Sequence, residues 1–199
     1  MIAYSIDLIR NTILKKNYVW FNDDANKGYD VNIVGIRNMD YSNTVTNAFD
    51  DFLTISYKLN GNWKFHIWPI TTDPGKKSVL EYTNPKGVAI LVPDQYLSSY
   101  RLGLHQGKYQ ALCQYKPVKV YRDRDKDLLF DLNVIDTGLF GINIHMAGED
   151  SIFVENWSAG CQVFKRKKNF NEFMQICNMA SKIHGNSFSY TLLTTTDFK

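Results

Sequence analysis

The alternation of hydrophobic and polar residues has the two-residue period of β-strands over most of the chain. Strand character is found in VNIVGI (31–36), FLTISYKL (52–59), WKFHIWPI (63–70), VAILV (88–92), VKVYRD (118–123), LLFDLNVI (128–135), FGINIH (140–145) and SYTLLTT (189–195). Asn60-Gly61 lies between the second and third runs and predicts a hairpin turn. The polar DRDKD segment (123–127) is interpreted as a turn. The pattern predicts a mainly β protein.

Two segments have the helical period instead. In SIDLIRNTILKK (5–16), three isoleucines fall on one stripe and Ser5 can cap the first turn. In NFNEFMQICNMASKIHG (169–185), an apolar stripe includes Cys177, Asn169 begins a pattern like a capping box, and Gly185 can end the helix. We therefore expect an α+β fold in a single domain over 1–199, with a helical N-terminal appendage at 1–20 and the main, function-bearing domain at 28–199.

Composition narrows the possible partners and location. A net charge of +3 over 199 residues is too small to indicate nucleic acid. No apolar run reaches the length of a membrane span. The opening MIAYSIDLIR lacks the pattern of a signal peptide, so we expect no export signal. The three cysteines form no CxxC pair, which favours free thiols over disulfides.

Cys161 differs from the other cysteines because it follows Ser158-Ala159-Gly160, which leaves little bulk around its backbone. A reactive thiolate requires such access, together with N–H donors aimed at a developing oxyanion. His145 precedes it by sixteen positions and would share one strand face with Asn143. The competing interpretation is a packed cysteine and a half-buried histidine bonded to backbone.

The order of a strand histidine followed by Ser158-Ala159-Gly160-Cys161 resembles the signature of the L,D-transpeptidase catalytic domain (YkuD-like). The resemblance is to phage-type relatives and implies an L,D-transpeptidase-like β-sandwich, with a helix at the start and another after the catalytic cysteine. It also implies thiol acyl transfer on peptidoglycan stem peptides. One departure is Val163, where the family usually has arginine.

The expected function is an endolysin-like L,D-peptidase, with Cys161 as nucleophile, His145 as base, and Gly160 and Ser158 forming the oxyanion site and its loop. A backbone carbonyl is the candidate for the group that orients His145. The alternatives are an L,D-transpeptidase that cross-links peptidoglycan and a non-catalytic wall-binding or virion protein. We expect the protein in the host cytoplasm before lysis, released through a holin, or in the virion.

Five further residues are weaker candidates for substrate contacts: Asn143, Trp157, Gln162, Arg101 and His105. For the segment with Arg101 and His105 a plain loop is the preferred interpretation, and for Trp157 the alternative is packing. We expect no cofactor and no metal. His66 and Asp73 have the spacing of a zinc ligand pair, but no third ligand follows in the sequence.

Overall fold

The computed structural model describes residues 3–40 and 42–199. Residues 1 and 2 of the predicted appendage and Tyr41 of the main domain lie outside these ranges. Within them the helices are α1 (Ile6–Lys15), α2 (Lys76–Glu81) and α3 (Lys167–His184), followed by a final 3₁₀ turn at Thr195–Phe198. The strands are β1 (Asn32–Arg37), β2 (Asp51–Leu59), β3 (Asn62–Thr71), β4 (Val88–Leu91), β5 (Gln95–His105), β6 (Tyr109–Gln114), β7 (Val118–Asp123), β8 (Ile135–Gly138), β9 (Ile144–Met146), β10 (Gln162–Phe164) and β11 (Phe188–Thr194). The mainly β prediction with two flanking helices is confirmed. The strand predicted at 128–135 is wrong, because this segment is a loop with one isolated bridge at Leu129 and reaches β8 only at Ile135.

Eight of these strands close into a barrel in the order β1-β11-β5-β6-β9-β10-β3-β2, and the described part of the chain adds a three-stranded sheet, β4-β7-β8. The barrel pairs are antiparallel except β1 with β11 and β9 with β10. This pairing differs from the two stacked sheets that the resemblance implied, because β1 bonds to both β2 and β11 and so leaves no open edge between them.

The β2–β3 hairpin turns at Asn60-Gly61, as the sequence predicted. Both residues have positive φ, 52° and 75°, which is the backbone that a two-residue turn of this kind requires. The strands on either side pair without a break from Asp51↔Ile70 to Leu59↔Asn62. This hairpin supplies β3, which pairs with β10 just after Cys161.

Helix α3 packs its apolar stripe into the largest hydrophobic core, together with barrel residues such as Tyr190 and Phe164. The predicted stripe residues are all buried: Phe170, Phe173, Met174, Cys177 and Ala180. The helix begins at Lys167, two residues before the predicted cap Asn169, and Arg166 at the N-cap makes no side-chain capping bond. Gly185 ends it with φ 86°.

Helix α1 packs on the barrel through a smaller core. Ser5 Oγ accepts a hydrogen bond from Leu8 N–H at 3.2 Å, which is the predicted cap. Ile9 and Ile13 are buried in a cluster whose other members are Trp20, Val34, Ile36 and Leu193. None of the described helices combines the length and the apolar character that a membrane span needs.

Candidate active site

The turn that carries Cys161 is held by the buried hydroxyl of Ser158. Ser158 Oγ accepts a hydrogen bond from Gly160 N–H at 3.1 Å and donates one to Cys161 O at 2.8 Å. Gly160 has φ +133°, and a Cβ atom there would lie 2.0 Å from Ala89 O. Only glycine fits this approach, because any side chain would strike the β4 backbone. Ser158 and Gly160 therefore set the shape of the turn.

The thiol of Cys161 is half-buried and bonded to the segment that enters β9. Sγ donates to Gly141 O at 3.3 Å and accepts from Asn143 N–H at 3.4 Å. Burial raises the pKa of the Cys161 thiol to about 11, and the Asn143 N–H acts in the opposite direction by favouring the thiolate. At neutral pH the resting side chain is therefore a protonated thiol.

His145 lies on β9 with its ring buried and its tautomer fixed. Its Nδ1 is 2.9 Å from Met146 O, so Nδ1–H donates to that carbonyl and Nε2 is left without a proton. Tyr109 Oη–H donates to the same oxygen at 3.3 Å. Burial lowers the pKa of His145 to about 4, with a further lowering from His105 and an opposing effect of the Met146 carbonyl. The orienting group that the sequence left open is the backbone carbonyl of Met146.

His145 lies on β9, and Cys161 immediately precedes the neighbouring strand β10. In the parallel β9–β10 pair, Val163 is the partner of His145, and Gln162 N–H donates to Asn143 O at 2.9 Å. Cys161 is therefore beside Asn143, which precedes His145 by two residues. Between Cys161 and His145, both of which the structure describes, no hydrogen bond forms, because the thiol proton is directed at Gly141 O.

Asn143 and His105, which the sequence predicted as weak substrate contacts, support His145. The His105 ring stacks on the His145 ring, with centroids 4.0 Å apart. Asn143 Nδ2 is 3.1 Å from His105 Nδ1, and Asn143 Oδ1 accepts from Gln114 N–H at 2.9 Å. Because the side chains of Asn143 and His145 both contact His105, they lie on the same side of the chain, as the sequence predicted.

The remaining predicted substrate contacts separate into two groups. Arg101 is exposed on β5, four residues before His105 and on the same face of the strand. Its guanidinium lies 4.2 Å from the Tyr115 ring centroid. Trp157 is 44% exposed beside the Cys161 turn. Gln162 is not brought to the site: it is fully buried, and its Oε1 accepts from Tyr190 Oη–H at 2.8 Å.

An open groove of about 530 Å³ runs along one side of the Cys161 turn. Its walls include Ala89 and Ala159 near the turn and Phe140 immediately before Gly141. Charged residues at its edge are Lys77, Glu81 and Arg122. The groove gives an extended, partly apolar surface beside Ala159, two residues before Cys161, whose thiol is not part of its lining.

Val163, and the His66 and Asp73 pair that was weighed as a rival zinc site, make structural contacts. Val163 is fully buried between β9 and β3, so this position presents nothing to a substrate. His66 stacks between Tyr57 and Trp68, with ring centroids 6.1 Å and 5.4 Å away. Asp73 lies 2.8 Å from the buried Arg37 guanidinium.

Sequence reasoning missed one group of potential ligands. Among the described residues, one cluster of potential metal ligands has its ligand atoms all within 4.8 Å of one another. It consists of the carboxylates of Asp123, Asp125 and Asp131. The signal for it was the alternation of aspartates in DRDKD, which was interpreted only as a polar turn.

No family model matches the chain, and comparisons with curated proteins and with solved structures find no match. The function must therefore be argued from the residues and their geometry.

Proposed function

We propose that the protein is a cysteine-dependent peptidoglycan stem-peptide hydrolase related to the L,D-transpeptidase catalytic domain. One observation carries the proposal most directly. Met146 O holds His145 Nδ1–H at 2.9 Å, which leaves Nε2 as a neutral base on the strand next to the half-buried Cys161 thiol. A free base nitrogen and a nearby thiol behind a glycine-containing turn are the parts that nucleophilic acyl transfer requires.

The first step starts from a neutral pair. The Cys161 side chain turns away from Gly141 O, and its proton passes to His145 Nε2 while sulfur attacks the peptide carbonyl. The Asn143 N–H, now 3.4 Å from Sγ, favours negative charge on sulfur. Because Gly160 N–H already donates to Ser158 Oγ, Cys161 N–H is the candidate oxyanion donor of the turn.

The acyl-enzyme then forms and is resolved. The C–N bond breaks as the leaving amine takes the proton from His145, and a thioester remains on Cys161. Water attacks the thioester while His145 takes one of its protons. The C–S bond breaks, and the thiol is restored. Each proton that moves is carried by the same Nε2 atom, which the Met146 carbonyl keeps available.

Hydrolysis is preferred over transpeptidation because water is then the acceptor, and the enzyme needs no binding site for a second peptide. A transpeptidase must also hold the acceptor stem, and Val163, at the position of the family arginine, is buried. The SAGCQ turn resembles those of phage-encoded relatives, so the proposed setting is a phage lytic enzyme that reaches the wall through a holin or within the virion.

Digestion of purified sacculi in H₂¹⁸O tests the proposal. The expected products are shortened or separated stem peptides in which each new carboxylate carries one ¹⁸O, as mass spectrometry of muropeptides would show. Efficient exchange of a stem's terminal D-residue for an added D-amino acid, without ¹⁸O, would replace hydrolysis by transpeptidation. Binding to sacculi with no change in the muropeptides would favour a non-catalytic wall-binding protein.

A further inference from the structure

Asp123 is a buried carboxylate without a hydrogen-bond partner. It ends β7 and is fully buried, yet neither Oδ1 nor Oδ2 accepts a hydrogen bond of ordinary geometry. The Asp125 backbone N–H is directed towards it and favours the charged form only weakly against burial, which raises the pKa of Asp123 to about 6. An ionised group in such a position is costly unless something compensates its charge.

The neighbours of Asp123 add negative charge. Asp125 and Asp131 place carboxylate oxygens within the same 4.8 Å group. No Lys or Arg of the described chain forms an ion pair with any of the three. Of the cationic residues around this cluster, Arg122 pairs with Asp136 at 3.3 Å, Lys126 lies 4.8 Å from the Tyr82 ring, and Arg124 is exposed. Three carboxylates therefore converge with no protein cation between them.

The loop that carries these residues is held by hydrogen bonds at its C-terminal end and within its middle. Phe130 N–H donates to Asn43 O at 2.8 Å, and Leu128 O accepts from Val45 N–H at 2.9 Å. Side-chain turns order its middle, where Asp127 N–H donates to Asp125 Oδ1 at 3.1 Å. The carboxylates are therefore held near one another by the fold, which lowers the entropy lost when an ion binds.

We propose that Asp123, Asp125 and Asp131 form a calcium site. Carboxylate oxygens are hard ligands, and a site made only of them does not favour zinc, which is usually bound by His nitrogen and Cys sulfur. Mg²⁺ usually takes one or two carboxylates and keeps its waters, whereas Ca²⁺ accepts more oxygen ligands in a flexible geometry. Counted from Asp123, aspartates occupy positions 1, 3, 5 and 9, which are the oxygen-donor spacings of a calcium loop, although Leu128 and Val134 stand where an EF-hand has glycine and glutamate.

The site is connected to the catalytic turn through one strand pair. Asp123 is the partner of Val88 at the start of β4. The carbonyl oxygen of the next residue, Ala89, packs closely against Gly160, and the Ala89 N–H donates to Ala159 O at 3.4 Å. A bound ion therefore stabilises the end of the sheet that supports the Cys161 turn. Its binding does not depend on the reaction proposed for Cys161.

Calorimetric titration of the full chain, first treated with EDTA and then freed of it, tests the site with CaCl₂ as the probe. We expect one Ca²⁺ per chain and a rise in unfolding temperature of about 5 °C or more at a free concentration one hundred times Kd. MgCl₂ at the same concentration should give a clearly smaller shift. The absence of both calcium heat and a thermal shift would overturn the proposal.

Variants separate the site from unspecific effects. Asp125→Asn changes an exposed residue and should fold, yet lose most of the calcium-dependent shift. Asp123→Asn should lose it completely and should be no less stable than the wild type without calcium, since it removes a buried unpaired charge. Asp150→Asn, an exposed carboxylate paired with Arg166, is the control and should keep the full shift. Retention of the shift in both Asp125→Asn and Asp123→Asn would overturn the assignment.

Discussion

The imidazole ring of His105 stacks on that of His145, with centroids 4.0 Å apart and ring planes within 19° of parallel. Both rings are buried, so protonation of either would place a charge against the other in a poorly solvated site. His105 Nδ1 is held by Asn143 and His145 Nδ1 by Met146, which fixes both rings in one arrangement. Burial and the stack therefore both favour the neutral form of His145, which is the form that the proposed base needs.

Removing His105 should raise the pKa of His145. His105→Ala deletes a group that lowers this pKa and also opens the site to water, and both changes favour the imidazolium. NMR titration of His145 against the wild type measures the shift. His66→Ala is the control, because it removes a histidine that stacks between Tyr57 and Trp68 and does not act on the pKa of His145. An unchanged His145 midpoint in His105→Ala would show that the stack has no electrostatic effect.

Burial of neutral His145 should make stability fall in mild acid. The folded pKa, about 4, is below the unfolded value near 6.5, so the unfolded chain binds the proton first. The contribution of His145 to the free energy of unfolding is fully present above pH 6.5. It is lost as the pH falls towards 4, by about 3 kcal/mol. Urea unfolding of the wild type and of His145→Gln between pH 7 and 4 isolates it. We expect a flatter profile for the variant; parallel profiles would contradict the assignment.

The alkylation rate of Cys161 should rise steeply with pH. Only the thiolate reacts, and with a pKa of about 11 its fraction increases roughly tenfold per pH unit between pH 7 and 10. Peptide mapping after timed exposure to iodoacetamide gives the rate, and the fully buried Cys177 is an internal control that should stay unlabelled. A rate that is already at its plateau near neutral pH would instead show a resting thiolate–imidazolium pair.

Gly160→Ala should destabilise the protein much more than Gly107→Ala. Both glycines have positive φ, but a Cβ atom at Gly107 meets nothing within 4 Å, whereas at Gly160 it meets Ala89 O. We expect a loss of about 1 kcal/mol at Gly107 from backbone strain alone, and about 3 kcal/mol or more at Gly160. Denaturant unfolding measures both. Equal losses would mean that the Gly160 turn tolerates a side chain.

Many elements of the fold were predictable because strand and helix periods are local properties of the sequence, but α2, β5 and β6 were not predicted. Closure of the barrel was not, since it depends on the pairing of β1 with β11, near opposite ends of the chain. Long-range pairing of this kind leaves no mark in either strand's own hydrophobic pattern. The sandwich expected from the resemblance differs from the observed barrel for this reason.

The candidate site was predictable in part. Cys161 and His145 were found from residue types and order, but the support of His145 by His105 depends on β6 pairing with both β5 and β9. Gln162 was placed near substrate because it follows Cys161, although its side chain enters the core and meets Tyr190. The aspartates at 123–131 were overlooked because the burial of Asp123, unlike their spacing, cannot be read from the sequence.

The central claim is that the Cys161 thiol is the nucleophile of a peptidoglycan hydrolase, and digestion of sacculi by Cys161→Ala tests it most directly. Cys113→Ala, which removes a second half-buried thiol from the nearby strand β6, is the matched control. We expect Cys161→Ala to keep the wild-type unfolding temperature to within a few degrees while its release of muropeptides falls by at least roughly a thousandfold. Cys113→Ala should stay close to wild type. Digestion by Cys161→Ala at the wild-type rate, with the same products, would contradict the account.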